Sequence, residues 1–157
     1  MKFSAQEEYG LRCLLRIGHA PNGLTIPEIS EMEGLTTAHA GKLLRALRLG
    51  GFIESTRGQN GGYRLARPAN EIIIGDVLAV LGGRLFEAGF CDVHAGIETI
   101  CTHTVDCSIR SLWRTVQKLL DSVLGKTTLE DLLGSEEEVK TFVDALALET
   151  ESNLLKN

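Results

Sequence analysis

Helix-capping residues and glycine stops confine residues 25–51 to a pair of short helices. Thr25 and Glu28 stand at capping-box spacing, Pro27 sits in the first turn, and Gly34 stops the segment. Thr36 or Thr37 can cap a following helix, in which Leu43, Leu44 and Leu47 supply the apolar stripe and Gly50-Gly51 the end. Only a tight turn around Gly34 and Leu35 separates the two. Ahead of them, Ser4 and Glu7 repeat the capping-box spacing and open a first amphipathic helix carrying Leu11, Cys13, Leu14, Leu15 and Ile17, closed by Pro21-Asn22-Gly23.

Two short helices joined by so tight a turn form a helix-turn-helix, whose second helix is presented to the major groove. The residues that follow extend the motif. Phe52-Ile53-Glu54-Ser55-Thr56 and Tyr63-Arg64-Leu65-Ala66-Arg67 predict two strands around Arg57-Gly58-Gln59-Asn60-Gly61-Gly62, a turn rich in residues that tolerate positive φ. A helix-turn-helix with such a hairpin is a winged helix.

Charge supports nucleic acid as the partner. Residues 1–70 hold nine Lys/Arg and six acids, net +3, whereas residues 71–157 hold seven bases and fifteen acids, net -8. From Lys42 to Arg67 there are six bases and one acid, Glu54, so a polyanion is drawn to that stretch. Thr36, Thr37, His39 and Lys42 are placed to meet base edges or nearby phosphates. Arg57, Arg64 and Arg67 are placed to grip the backbone or minor groove, against the alternative of a merely solvated hairpin. Lys42, Arg45 and Arg48 share the third helix.

Beyond Pro68, residues Ile73 to Leu81 predict a short apolar helix ending at Gly82-Gly83. Periodicity then disappears across residues 84–107, which contain Cys91, His94, Cys101, His103 and Cys107 with few apolar anchors. A loop of this length needs a reason for order, and a bound metal supplies one. The three cysteines form C-x9-C-x5-C, and thiolates suit soft metals and iron-sulfur clusters. A zinc site with His94 or His103 as fourth ligand stays open, as does simple thiol reactivity. Cys13, beside Leu11, Leu14 and Leu15, is expected in the core. From Ser108, the residues Ile109, Leu112, Trp113, Val116, Leu119, Leu120 and Val123 step by three and four along a long helix. Further helical pieces are expected around Leu129–Leu133 and Glu136–Leu148.

The opening MKFSAQEEYGLRCLLRI, the segment TIPEISEMEGLTTAHAGKLLRALRLGGFIESTRGQNGGYRLARP and the cysteines running into CSIRSLWRTVQKLLDSVLGKTTLEDLL resemble the IscR/NsrR group of winged-helix regulators, the Rrf-two family. The resemblance covers residues 1 to about 134 and is most specific in the wing run RGQNGGYRLARP. It implies a homodimer that binds double-stranded operator DNA and carries an iron-sulfur cluster whose state controls binding. Cys91, Cys101 and Cys107 match the family triplet, although the first gap is longer than usual there. Glu8 occupies the place of a carboxylate that completes the cluster from the other subunit. A histidine three residues after the third cysteine is the family alternative, but Arg110 stands there, which favours a 4Fe-4S over a 2Fe-2S cluster. Without the resemblance, Glu8 is a first-turn carboxylate favourable to the helix dipole.

The sequence therefore predicts a mainly α fold with a small β wing. Its parts are a DNA-binding domain over 1–83, a cysteine-bearing cluster loop over 84–107, and a dimerisation helix with C-terminal helices over 108–157. The function expected is an iron-sulfur-dependent repressor of transcription sensing nitric oxide, redox or iron-sulfur status. The alternative is a winged-helix regulator using the same cysteines for zinc or thiol oxidation. An enzyme is not expected, since no nucleophile-base constellation, phosphate loop or catalytic carboxylate pair is evident. With charged residues through the first twenty positions and no apolar run of about 18 residues, neither export nor a membrane is expected and the cytoplasm is.

Overall fold

A computed structural model describes residues 4–56, 61–84, 86, 89–95, 101, 103 and 105–154. Three helices come first, α1 (Ala5–Gly18), α2 (Ile26–Glu33) and α3 (Thr37–Leu49). Both predicted capping boxes close. The Ser4 hydroxyl accepts from the Glu7 N–H while the Ser4 N–H donates to Glu7 Oε2 at 2.7 Å. Thr25 and Glu28 repeat the arrangement, with the Thr25 N–H 2.7 Å from Glu28 Oε2. Gly34 ends α2 at φ +64°, a left-handed conformation that glycine adopts without a Cβ penalty. Thr36, rather than Thr37, caps α3, accepting from the His39 N–H at 3.2 Å.

The wing is an antiparallel pair, β1 (Ile53–Thr56) and β2 (Gly62–Leu65), in which Glu54 faces Arg64 and Ser55 faces Tyr63. A third short contact joins it to the helices. Leu24, just before α2, exchanges backbone hydrogen bonds with Tyr63 at 2.9 and 2.7 Å. Gly62 is required there, because a Cβ would stand 2.9 Å from the Leu24 backbone.

After a 3-10 turn at Ala69–Glu71 come α4 (Ile74–Gly82), α5 (Phe90–Val93), α6 (Ser108–Leu124), α7 (Leu129–Leu132) and α8 (Glu136–Leu154). The aperiodic stretch thus contains a one-turn helix, α5, that its sequence did not announce. The last helix also runs past the expected Leu148. One core gathers Cys13, Leu14 and Ile17 of α1, Ile29, Leu44, Leu47, Phe52, Val77 and Leu129, each at most 2% exposed. Leu129 reaches it because the chain after α6 pairs with the chain before α4: Ile74 N–H donates to Thr127 O at 2.9 Å and Leu129 N–H to Ile72 O at 2.8 Å. Gly10 lets α1 lie against α4, since a Cβ would meet the Leu81 methyls at 2.5 Å.

The long helix α6 behaves differently. Its apolar residues lie along one stripe, yet none of its 17 residues is buried, and Ile109 and Leu112 are 60% and 55% exposed. No described helix is long and apolar enough to cross a membrane.

Candidate nucleic-acid interface and cysteine segment

The solvent side of α3 is where the predicted DNA contacts lie. Thr36, Thr37 and Lys42 are exposed, and His39 is half-buried. Arg45 and Arg48 are exposed on the same helix, and among the described residues neither they nor Lys42 has a carboxylate partner. Such unpaired cations lose no protein ion pair when they meet phosphate. Sequence reasoning passed over Gly41, which lies inside the helix between these side chains. A Cβ there would touch none of the described residues within 4 Å, so their packing does not demand glycine.

His39 is held from behind by α1. Its ring packs T-shaped on Tyr9, with centroids 5.8 Å apart and planes at 75°. The Arg12 guanidinium lies 5.5 Å from the Tyr9 centroid and pairs with Glu8, at 2.6 Å from Nη2 to Oε1. Pairing with Glu8, first through the hydrogen bond and then through charge, raises the Arg12 pKa further above its ordinary value. A continuous set of contacts therefore runs from Glu8, through Arg12 and Tyr9, to the start of α3.

On the wing, Arg64 is paired with Glu54 directly across the strands at 2.6 Å. Arg67 lies with its guanidinium 5.3 Å from the Phe52 centroid, and its buried Nε has no hydrogen-bond partner. Arg57 falls outside the described residues.

The cysteines divide as their neighbours suggest. Cys13 is fully buried, and desolvation, reinforced by the charge of Glu33, pushes its thiol up to about 11. Cys91, Cys101 and Cys107 are free and half-buried. Cys91 is the second residue of α5, and Cys107 caps α6, its Sγ accepting from the Arg110 N–H at 3.3 Å. His94 follows α5, its ring stacked on Phe90 at 4.2 Å, and His103 is exposed. Three reachable thiols outside the core suit an iron-sulfur cluster as a donor set. Among the described residues, no three of His, Cys, Asp and Glu converge on one point, so a cluster would have to gather them.

Known proteins share this fold. The family profile Rrf2, described as iron-dependent transcriptional regulator, matches residues 3–135. Protein rrf2 of Nitratidesulfovibrio vulgaris is 34% identical over 136 residues, covering 85% of this chain and 87% of that protein. Among solved structures, CymR (YrzC), the global cysteine regulator of B. subtilis, superposes with a TM-score of 0.66 at 27% identity, over 85% of this chain and 96% of CymR. IscR of T. potens does so with a TM-score of 0.66 at 30% identity, over 85% and 86%. The helices, two-stranded wing and exposed cationic α3 are thus those of a winged-helix DNA-binding protein. The chain belongs to the Rrf2 family of transcriptional regulators.

Proposed function

We propose that this regulator is a homodimeric, iron-sulfur-dependent repressor whose cluster is held by Cys91, Cys101 and Cys107 of one protomer and Glu8 of the other. The observation carrying the proposal is the set of three free, half-buried thiols on the stretch from α5 to the start of α6. A 4Fe-4S cluster would supply a redox- and nitric-oxide-sensitive centre there. Pairing of Ile109, Leu112, Trp113, Val116 and Leu120 with a second copy would cover a stripe the single chain leaves open, and two α3 helices about 34–36 Å apart would then read a pseudopalindromic operator.

What the chain's own residues contribute is a route between sites. Glu8 neutralises Arg12, Arg12 rests on Tyr9, and Tyr9 supports His39. Drawing the Glu8 carboxylate away from Arg12 alters the support of α3. A change of about 1–3 kcal/mol in the dimer equilibrium shifts operator affinity by roughly 5- to 150-fold. Thr36, Thr37, His39 and Lys42 read the groove in this scheme, with Arg57, Arg64 and Arg67 on the flanking backbone.

Anaerobic purification with iron and sulfide analysis and Mössbauer spectroscopy tests the reading. Wild type should be brown with 4Fe-4S signals, Cys101→Ala should lose iron, and Glu8→Ala should show an altered cluster. A colourless protein that resists reconstitution would remove the proposal. The same three free, half-buried thiols also support a second reading, in which they report oxidation directly. Reversible loss of operator binding in iron-free protein treated with peroxide would support that alternative.

A further inference from the structure

Four of the seven bases in residues 71–157 line a single cavity of about 570 Å³: Arg84, Arg110, Arg114 and Lys118. This concentration occurs in the half of the chain that carries net -8. Asp92 also lines the cavity, Asp121 pairs with Arg84 and Arg110 has a partner of its own, so the cationic character rests on Arg114 and Lys118. One wall is apolar. Phe86 and Phe90 pack with centroids 5.0 Å apart, and the Phe86 N–H is anchored to Gln117 Oε1 at 2.9 Å. A volume within the roughly 300–1,000 Å³ of small-molecule sites, charged groups mainly of one sign and an aromatic wall form a coherent set.

The cavity also stays clear of the apolar stripe on α6. At 3.6 residues per turn, Arg110, Arg114 and Lys118 centre about 165° around the helix from Ile109, Leu112 and Val116. A second copy seated on that stripe leaves the cavity open. Cys91 lies in the cavity wall, so an occupant would touch both the cysteine segment and α6.

We infer that this cavity binds a small organic polyanion, with phosphate or carboxylate groups against Arg114 and Lys118 and a planar body against Phe86 and Phe90. The inference is independent of the iron-sulfur reading, because the site consists of side chains present in the iron-free chain. Electrostatic attraction dominates such a site, so binding weakens as salt rises.

Titration calorimetry of the full-length, iron-free protein with pyrophosphate, citrate and adenosine monophosphate, at low salt, tests it. Saturable binding of at least one probe is expected, and the preferred probe distinguishes phosphate from carboxylate. Arg114→Glu and Lys118→Glu should each weaken binding at least about tenfold while Lys126→Glu, remote from the cavity, leaves it unchanged. Adenosine monophosphate should lose affinity in Phe86→Ala while pyrophosphate does not, and a bound probe should slow alkylation of Cys91. Circular dichroism checks that each variant folds. Absence of saturable binding by all three probes at millimolar concentration, or binding indifferent to both charge reversals, would overturn the site and leave the cluster question untouched.

Discussion

Tyr9 on α1 and His39 on α3 meet in a T-shaped contact at 5.8 Å, where the first helix supports the start of the helix proposed to read DNA. Aromatic pairs of this kind contribute about 0.5–1.5 kcal/mol beyond the area they bury. Tyr9→Leu should therefore weaken operator binding by about 2- to 10-fold through misplacement of His39, and Tyr9→Phe should bind like wild type. Fluorescence anisotropy on labelled operator measures both; equal affinities in all three proteins would show that the contact is only packing.

Among the described residues Lys42 and Arg45 have no carboxylate partner, whereas Arg64 must give up Glu54 to reach a phosphate. Lys42→Ala and Arg45→Ala should each reduce the slope of log affinity against log salt by about 0.9. Arg57→Ala should do the same. Arg64→Ala should reduce it less, since part of its charge is already neutralised. Binding isotherms across a salt series supply the slopes.

Gly41 carries a conformational-entropy cost in a helix interior, and among the described residues nothing occupies the space of its missing side chain. Gly41→Ala should raise stability by about 0.5–1 kcal/mol. It should also lower operator affinity if DNA is what approaches there. Thermal melts and anisotropy on the same sample separate the two effects.

Cys13, buried and with its pKa pushed up to about 11, stays protonated through physiological pH. Thiolate is the reacting species. Iodoacetamide on the native, iron-free protein should modify Cys91, Cys101 and Cys107 and spare Cys13 until denaturant is added, as peptide mass mapping would reveal. Rapid native labelling of Cys13 would contradict its place in the core.

Hydrogen bonds from the Thr25 hydroxyl, then from the Thr25 N–H, hold the Glu28 carboxyl below the usual carboxylate range. A carboxylate lowered on folding stabilises the folded state above its unfolded pKa of about 4.3 and loses that contribution as pH falls through the lower folded value. Glu28→Gln should melt below wild type at pH 7, and the gap should close in acid below pH 4. A gap that persists at low pH would assign the loss to packing instead.

Much of the DNA-binding half was legible because its signals are local. Ser4 with Glu7 and Thr25 with Glu28 are three residues apart, and the turn glycines before Tyr63 lie between the strands they connect. The α6 stripe was equally plain. What escaped was set by distant partners: α5 is a single turn flanked by the rings of Phe86, Phe90 and His94, which step by four but over too short a segment, with too few other apolar residues, to read as a helix. Nor could spacing tell that Arg67 rests on Phe52, that Glu54 occupies Arg64, or that Tyr9 meets His39. The thiols were visible, but their convergence is a tertiary property that spacing does not specify.

The paired hydrogen bonds between Leu24 and Tyr63 tether the hairpin to the chain entering α2. Tether and core together make wing and recognition helix a single reading head, so neither can swing without carrying the other. A regulator assembled from two such heads would have little freedom within each, and would switch by changing the distance or angle between them.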